Sequence, residues 1–215
     1  MPEQLIFAQL AREPVSGQVK TRLIPALSAL QAMSLHSAMV ERIARTLCDS
    51  GLGEVRLWVD GDENHALFTR CRRLGVSVIL RQSGGDLGER MAAICEQCLA
   101  RAAAVVLVGS DAPSIDAGYL QTASQALAEV DAVLGPALDG GYVLFGLRRF
   151  TPELFSGISW GEDTVLEKTL EKLEALRWSY RLLETRPDID RPEDLRHLPD
   201  SLRIHLPVWG ASEQV

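Results

Sequence analysis

Lys20 and Arg22 are the first residues whose type and spacing suggest chemistry. They lie in the segment Ala11–Pro25, with Arg12 and Gly17, directly after the apolar run Leu5–Leu10. A polyphosphate site needs cationic donors and exposed backbone N–H groups, and this loop offers both. It contains neither G-x-x-x-x-G-K-[ST] nor G-x-G-x-x-G, so it is neither a P-loop nor a dinucleotide fingerprint; a solvated basic loop is the plain alternative. Asp111 lies in the second notable segment, Gly109-Ser110-Asp111-Ala112-Pro113, which ends the apolar run Val105–Gly109. A carboxylate at the carboxyl end of a central strand is placed to hold a divalent cation against a diphosphate, or else to close an Asx turn. Asp190, in Asp188–Leu195, is a candidate second carboxylate for the same ion, although Asp190 with Glu193 also has the form of a capping box. Asp139, in Gly135–Tyr142, is either a turn residue or a base and substrate anchor. Gly84-Gly85-Asp86-Leu87-Gly88 allows close approach of backbone to a ligand, or is a flexible link with Asp86 capping the helix that follows.

Other chemistries have little support. Cys95 and Cys98 form a C-x-x-C inside a helical pattern, with no second pair for zinc and no helix start for a redox motif, so they are expected on a buried helix face. His36, His65, His197 and His205 share no spacing, and no G-x-S-x-G elbow is present. The chain has 215 residues and a net charge of −7, which argues against a nucleic-acid partner. No apolar run reaches the ~18 residues of a membrane span, and the start Met1–Gln4 lacks a basic signal region, so a cytoplasmic protein is expected.

These residues need a scaffold, and short β-rich runs alternating with helical patterns supply one. Strands are expected at Leu5–Leu10, Glu54–Asp60, Val76–Gln82, Val105–Gly109, Asp131–Ala137, Tyr142–Leu147 and Ser179–Glu184. Helices are expected at Ser28–Ser50, Glu63–Leu74, Asp86–Ala103, Asp116–Glu129, Glu162–Arg177 and Pro192–Leu198, with a further start at Thr151-Pro152. The alternation implies a mainly parallel sheet with helices on both faces, made mixed by a hairpin at Asp139-Gly140. One α/β domain over residues 1–198 and a patternless tail over 199–215 is the expected organisation. In such sheets ligands sit beyond the carboxyl ends of the strands, where the candidate loops lie.

Taken in order, 14–27 (PVSGQVKTRLIPAL), 84–91 (GGDLGERM), 109–113 (GSDAP), 135–147 (GPALDGGYVLFGL), 154–165 (LFSGISWGEDTV) and 188–195 (DIDRPEDL) resemble the bacterial DUF2064 family. Its members are also called arsenosugar-biosynthesis-type or radical-SAM/selenodomain-associated glycosyltransferases, of the nucleotide-diphospho-sugar transferase superfamily. The resemblance runs from about residue 5 to 198 and implies a Rossmann-like GT-A fold. Thr21–Pro25 resembles the T-R-L-x-P of sugar nucleotidylyltransferases, which implies phosphate contacts for Lys20 and Arg22. The resemblance places nucleotide against Arg12, Gly17, Lys20, Arg22, Gln82, Gly85, Asp86, Gly88 and Ser110. It implies Mg²⁺ (or Mn²⁺) on Asp111, matching a D-x-P motif, and on Asp190, before a P-E-D-L. The chain departs from its relatives in lacking a D-x-D, since Ser110 precedes Asp111, and in lacking G-G-x-G-x-R-M.

The expected activity is glycosyl transfer from a nucleotide sugar to a small-molecule acceptor. Lys20, Arg22 and Asp111 would serve the leaving group, and Asp139 the acceptor. Nucleotidyl transfer from an NTP to a phosphorylated substrate uses the same cations, and a non-catalytic nucleotide-binding module is the third possibility.

Overall fold

The computed structural model describes residues 5–204. Seven strands form one sheet: β1 (Leu5–Arg12), β2 (Glu54–Asp60), β3 (Val78–Arg81), β4 (Ala104–Gly109), β5 (Ala132–Pro136), β6 (Tyr142–Leu147) and β7 (Tyr180–Leu182). Their order is β3-β2-β1-β4-β6-β5-β7. Only β6 runs against its neighbours β4 and β5, so the sheet is mixed as the Asp139 hairpin implied. Chain order reverses between β1 and β4: β2 and β3 lie on one side of β1, and everything after β4 on the other. A crevice forms where two loops leave such a switch point in opposite directions.

Alternation along the central strands feeds two cores. Phe7, Val106 and Val108 point to the face covered by α1 (Ala29–Ser50), α2 (Ala66–Arg73) and α4 (Ala117–Leu127). Ile6, Ala8, Val105 and Leu107 point to the face covered by α3 (Leu87–Leu99), α5 (Val165–Ala175) and the segment around Leu154–Trp160. Both faces of β1 and β4 are therefore dry, which is why their sequences are apolar without strict alternation.

Helix ends follow local chemistry. Ser28 and Gln31 form a reciprocal capping box on α1, and Gly51 ends that helix in the left-handed region at φ 63°. Asp86 and Asp116 cap α3 and α4 through bonds from Glu89 N–H and Tyr119 N–H, both 2.8 Å. Four expectations are corrected. Helix α5 begins at Val165 rather than Glu162, and Thr151-Pro152 starts only a single 3₁₀ turn. The Asp190–Glu193 capping box does not form: Pro192 is the first helical residue, so the cap falls one position later, and Asp194 Oδ2 accepts from the backbone N–H groups of Asp190 (3.0 Å) and Arg191 (2.7 Å). The first residues after 198 continue the domain, since α6 (Asp200–Arg203) buries Leu202 beside Leu198, Leu195 and Leu35; His205 and the rest of the tail lie outside the described residues. Cys95 and Cys98 are buried thiols on the inner face of α3, as their helical setting implied.

Candidate functional site

A cleft of about 610 Å³ opens at the carboxyl ends of β2, β1 and β4. Arg12, Lys20, Arg22, Gln82, Ser110, Asp111, Asp139 and Asp190 line it, brought from five separate loops.

Lys20 is its anchor. Its Nζ lies 2.9 Å from Asp111 Oδ1 and 3.6 Å from Asp190 Oδ1, and donates to the Ile189 carbonyl at 2.6 Å. The Lys20 side chain is 4% exposed, whereas Asp111 is 50% and Asp190 33% exposed. The lysine backbone stands at φ 50°, ψ 38°, a left-handed conformation that costs a side-chain-bearing residue on the order of 1 kcal/mol. Three polar contacts on Nζ hold it there. Arg22 pairs with the other oxygen of Asp190. The segments themselves are tied together by Ile189 N–H, which donates to the Asp111 carbonyl at 2.8 Å. Burial alone would push the Asp111 carboxyl up, but the charges of Lys20 and His36 hold it below the ordinary carboxylate range.

His36, on α1, is buried on the same wall. Its Nε2 lies 2.9 Å from the Arg12 carbonyl, so that nitrogen carries the proton, and burial keeps the ring below the usual histidine pKa. Ser110 spends its hydroxyl inside the sheet edge, donating to the Leu10 carbonyl at 2.7 Å and accepting from Gln9 Nε2 at 3.0 Å. Gln82 bridges the carbonyls of Ala11 (3.3 Å) and Trp58 (3.0 Å), fixing the ends of β1 and β2. Beyond it, Asp60 is shared by Arg90 at 2.8 Å and Arg12 at 3.4 Å.

Asp139 sits on the β5–β6 turn and accepts from Gly141 N–H at 2.9 Å. Asp188 shares the mouth of the cleft. Burial, and then the charge of Asp139, push the Asp188 carboxyl up to about 6.

The glycine-rich candidates fall elsewhere. Gly17, Gly85, Asp86 and Gly88 do not line the cleft. Gly17 stands at φ 77° with open space around it. Gly85 N–H donates to Glu89 Oε2 at 2.6 Å, and Asp86 is spent on its cap. Gly88 is pressed under the Trp160 indole, which packs on α3 and lines the cleft. Sequence reading missed Asp60, Arg90, His36, Asp188 and Trp160. Asp60 carried a usable signal, being a carboxylate at the carboxyl end of a strand.

Among the described residues no three His, Cys, Asp or Glu side chains come together in metal-ligand geometry. Two hard carboxylates on a half-open cleft still suit Mg²⁺, which completes its shell with substrate oxygens and water. Among the described residues no helix is long and apolar enough to cross a membrane.

A profile of the family described as "uncharacterized protein conserved in bacteria (DUF2064)" matches residues 43–162. No curated protein matches the chain. Among solved structures, a Desulfovibrio desulfuricans G20 protein provisionally named a nucleotide-diphospho-sugar transferase is 30% identical, with a TM-score of 0.83 over 94% of this chain and 90% of that one. The 4-diphosphocytidyl-2C-methyl-D-erythritol synthase of Anaerococcus prevotii DSM 20548 is 9% identical, with a TM-score of 0.62 over 91% and 94% of the two chains. The inositol-1-phosphate CTP transferase of T. maritima is 15% identical, with a TM-score of 0.55 over 94% and 95%. These last two share the fold.

Proposed function

The chain belongs to the DUF2064 family, and from that premise we propose that it is a metal-dependent glycosyltransferase that draws on a nucleotide-sugar donor. The observation that carries this reading is the convergence of Lys20, Arg22, Asp111 and Asp190 from three distant segments on one crevice at the β1/β4 switch point. Such a constellation suits a diphosphate-bearing ligand and little else of small size. The name of the 30%-identical relative points the same way.

Asp111 and Asp190 would hold a divalent cation, which when bound neutralises charge developing on the departing diphosphate. Lys20 and Arg22, which stand at the carboxylate pair, would supply positive charge to the same oxygens. Arg12, Gln82, Asp60 and Arg90 line the β1–β2 end of the cleft, where the nucleoside would extend. Trp160, packed on α3, lines the cleft and would shield the reacting atoms from water. Asp139, at the mouth, would orient an acceptor hydroxyl and take its proton.

One observation favours nucleotidyl transfer as a second reading. Asp139 accepts a turn hydrogen bond from Gly141, which weakens it as a base, and an already ionised phosphate acceptor needs none. Incubation with Mg²⁺ and either nucleotide sugars or NTPs plus sugar phosphates separates the two. Release of nucleoside diphosphate with sugar transfer, abolished by Asp111→Asn, is the expected result. Pyrophosphate release without sugar transfer rejects it in favour of nucleotidyl transfer. Nucleotide binding that survives Asp111→Asn, with no turnover of any substrate, leaves a binding module.

A further inference from the structure

The ammonium of Lys20 stands where a cation shared by Asp111 and Asp190 would stand. It faces one oxygen of each carboxylate, at 2.9 and 3.6 Å, and is almost wholly shielded from solvent. The Ile189 carbonyl, 2.6 Å away, completes an oxygen-rich seat of the kind a metal takes. The second oxygen of Asp190 is occupied by Arg22. The backbone of Lys20 adopts a left-handed conformation to place its side chain there.

We propose that Lys20 is the resident counter-ion of the Asp111–Asp190 pair, that it closes the pair to a free divalent cation, and that the site admits metal and polyphosphate together, as one complex. The inference rests on the metal reading given above.

A divalent ion entering alone would meet a unit positive charge at contact distance beside two half-open carboxylates, a repulsion worth at least about tenfold in affinity. A bare polyphosphate is opposed from the other side: Asp60, Asp111, Asp139, Glu162, Asp188 and Asp190 line the cleft against Arg12, Lys20, Arg22 and Arg90. The two penalties cancel when anion and cation arrive together. Phosphate oxygens then take the ammonium, and the metal takes the carboxylate oxygens that the ammonium leaves. Placing the lysine between the acids also keeps the ligand-free carboxylates from repelling one another.

Mn²⁺ alone is the probe, titrated into the full chain without nucleotide and counted by the paramagnetic resonance of the free ion. Wild-type protein is expected to bind it weakly, and Lys20→Met at least about tenfold more tightly, because one competing charge is gone. Lys20→Gln should show the same gain, which guards against a folding defect peculiar to methionine; circular dichroism checks both. The gain should vanish in the Lys20→Met/Asp111→Asn double variant, which places the ion at the pair. Tight Asp111-dependent binding by the wild type, unchanged in both lysine variants, overturns the counter-ion role and leaves the metal reading standing. Absence of Mn²⁺ binding in every protein, with or without CTP and UDP-glucose, removes the metal reading and this inference with it.

Discussion

Replacing Gly88 by alanine separates two reasons a glycine can stand at a helix start: room for a ligand, or room for a neighbouring side chain. A Cβ built there lies 2.3 Å from Trp160 Nε1 and 2.7 Å from both Trp160 Cε2 and the Phe155 carbonyl. Ordinary contact begins near 3.4 Å, so the indole would have to withdraw by about 1 Å, and the carbonyl is backbone and yields little. Overpacking of this kind costs about 1–3 kcal/mol. The helix preference of alanine over glycine returns at most about 1 kcal/mol, and less in a first turn. The net loss is about 1–2 kcal/mol, or roughly 2–8 °C in Tm for a domain of this size. Thermal unfolding followed by circular dichroism, with no ligand present, measures it directly. Gly85→Ala is the control, since its nearest neighbour is the swinging tip of Glu89 at 2.9 Å, and its Tm should stay within about 2 °C of wild type. A Gly88→Ala protein melting at or above the wild-type temperature would refute the seating of Trp160 on α3, and with it the place of that indole in the cleft lining.

Other consequences follow from the same structure. Asp188→Asn should stabilise the ligand-free protein by about 1 kcal/mol at pH 8, after allowance for screening, and by nothing below pH ~4; burial and Asp139 raise the native carboxyl to about 6, so the penalty for ionising it grows as pH rises between those values. Chemical denaturation at several pH values reads both the size and the sign. Glu54 behaves oppositely: hydrogen bonds from Arg56 and Ser77 lower its pKa, so its contribution is present above the unfolded carboxylate range and disappears on acidification. Glu54→Gln should flatten the loss of stability between pH 5 and the acid limit in the same titrations. Burial raises the thiols of Cys71 to about 12 and Cys98 to about 11, and Cys95 well above its ordinary range. An aromatic disulfide reagent at pH 7.5 should therefore modify these three only as fast as the protein unfolds, and rapid stoichiometric labelling of the native chain would contradict their burial.

How far the sequence exposes this molecule depends on whether the deciding interaction is local. The run Val105–Gly109 reads as a central strand because a strand dry on both faces has no polar alternation to show, and β4 does lie between β1 and β6. The Asp139 hairpin and the caps at Ser28, Asp86 and Asp116 are legible for the same reason: each is settled within four residues. The capping box at Asp190 misleads by a single residue, because the helix starts at Pro192 and the same three-residue spacing is met by Arg191 and Asp194 instead. The glycines at 85 and 88 mislead more deeply. A glycine cleared for a substrate and one cleared for an indole 72 residues away look identical in one dimension, and only the position of Trp160 tells them apart.

Charge raises the same difficulty in its strongest form. Lys20, Asp111 and Asp190 can each be marked as reactive types in exposed loops, but nothing in their order reveals that the lysine turns inward to become one of the most shielded cations in the chain while its acids stay half open. That asymmetry matters chemically. A lysine on the surface would only raise the local concentration of phosphate, whereas this one is buried against two carboxylates with its backbone in the left-handed region. The Asp60 cluster obeys the same logic from the far end of the cleft, where Arg12 and Arg90 converge on one carboxylate at the tip of β2. Both clusters sit at the carboxyl edge because that is where the parallel strands release loops toward one another. The sheet order fixes which distant charges meet, and so brings cations and carboxylates from separate loops to one crevice.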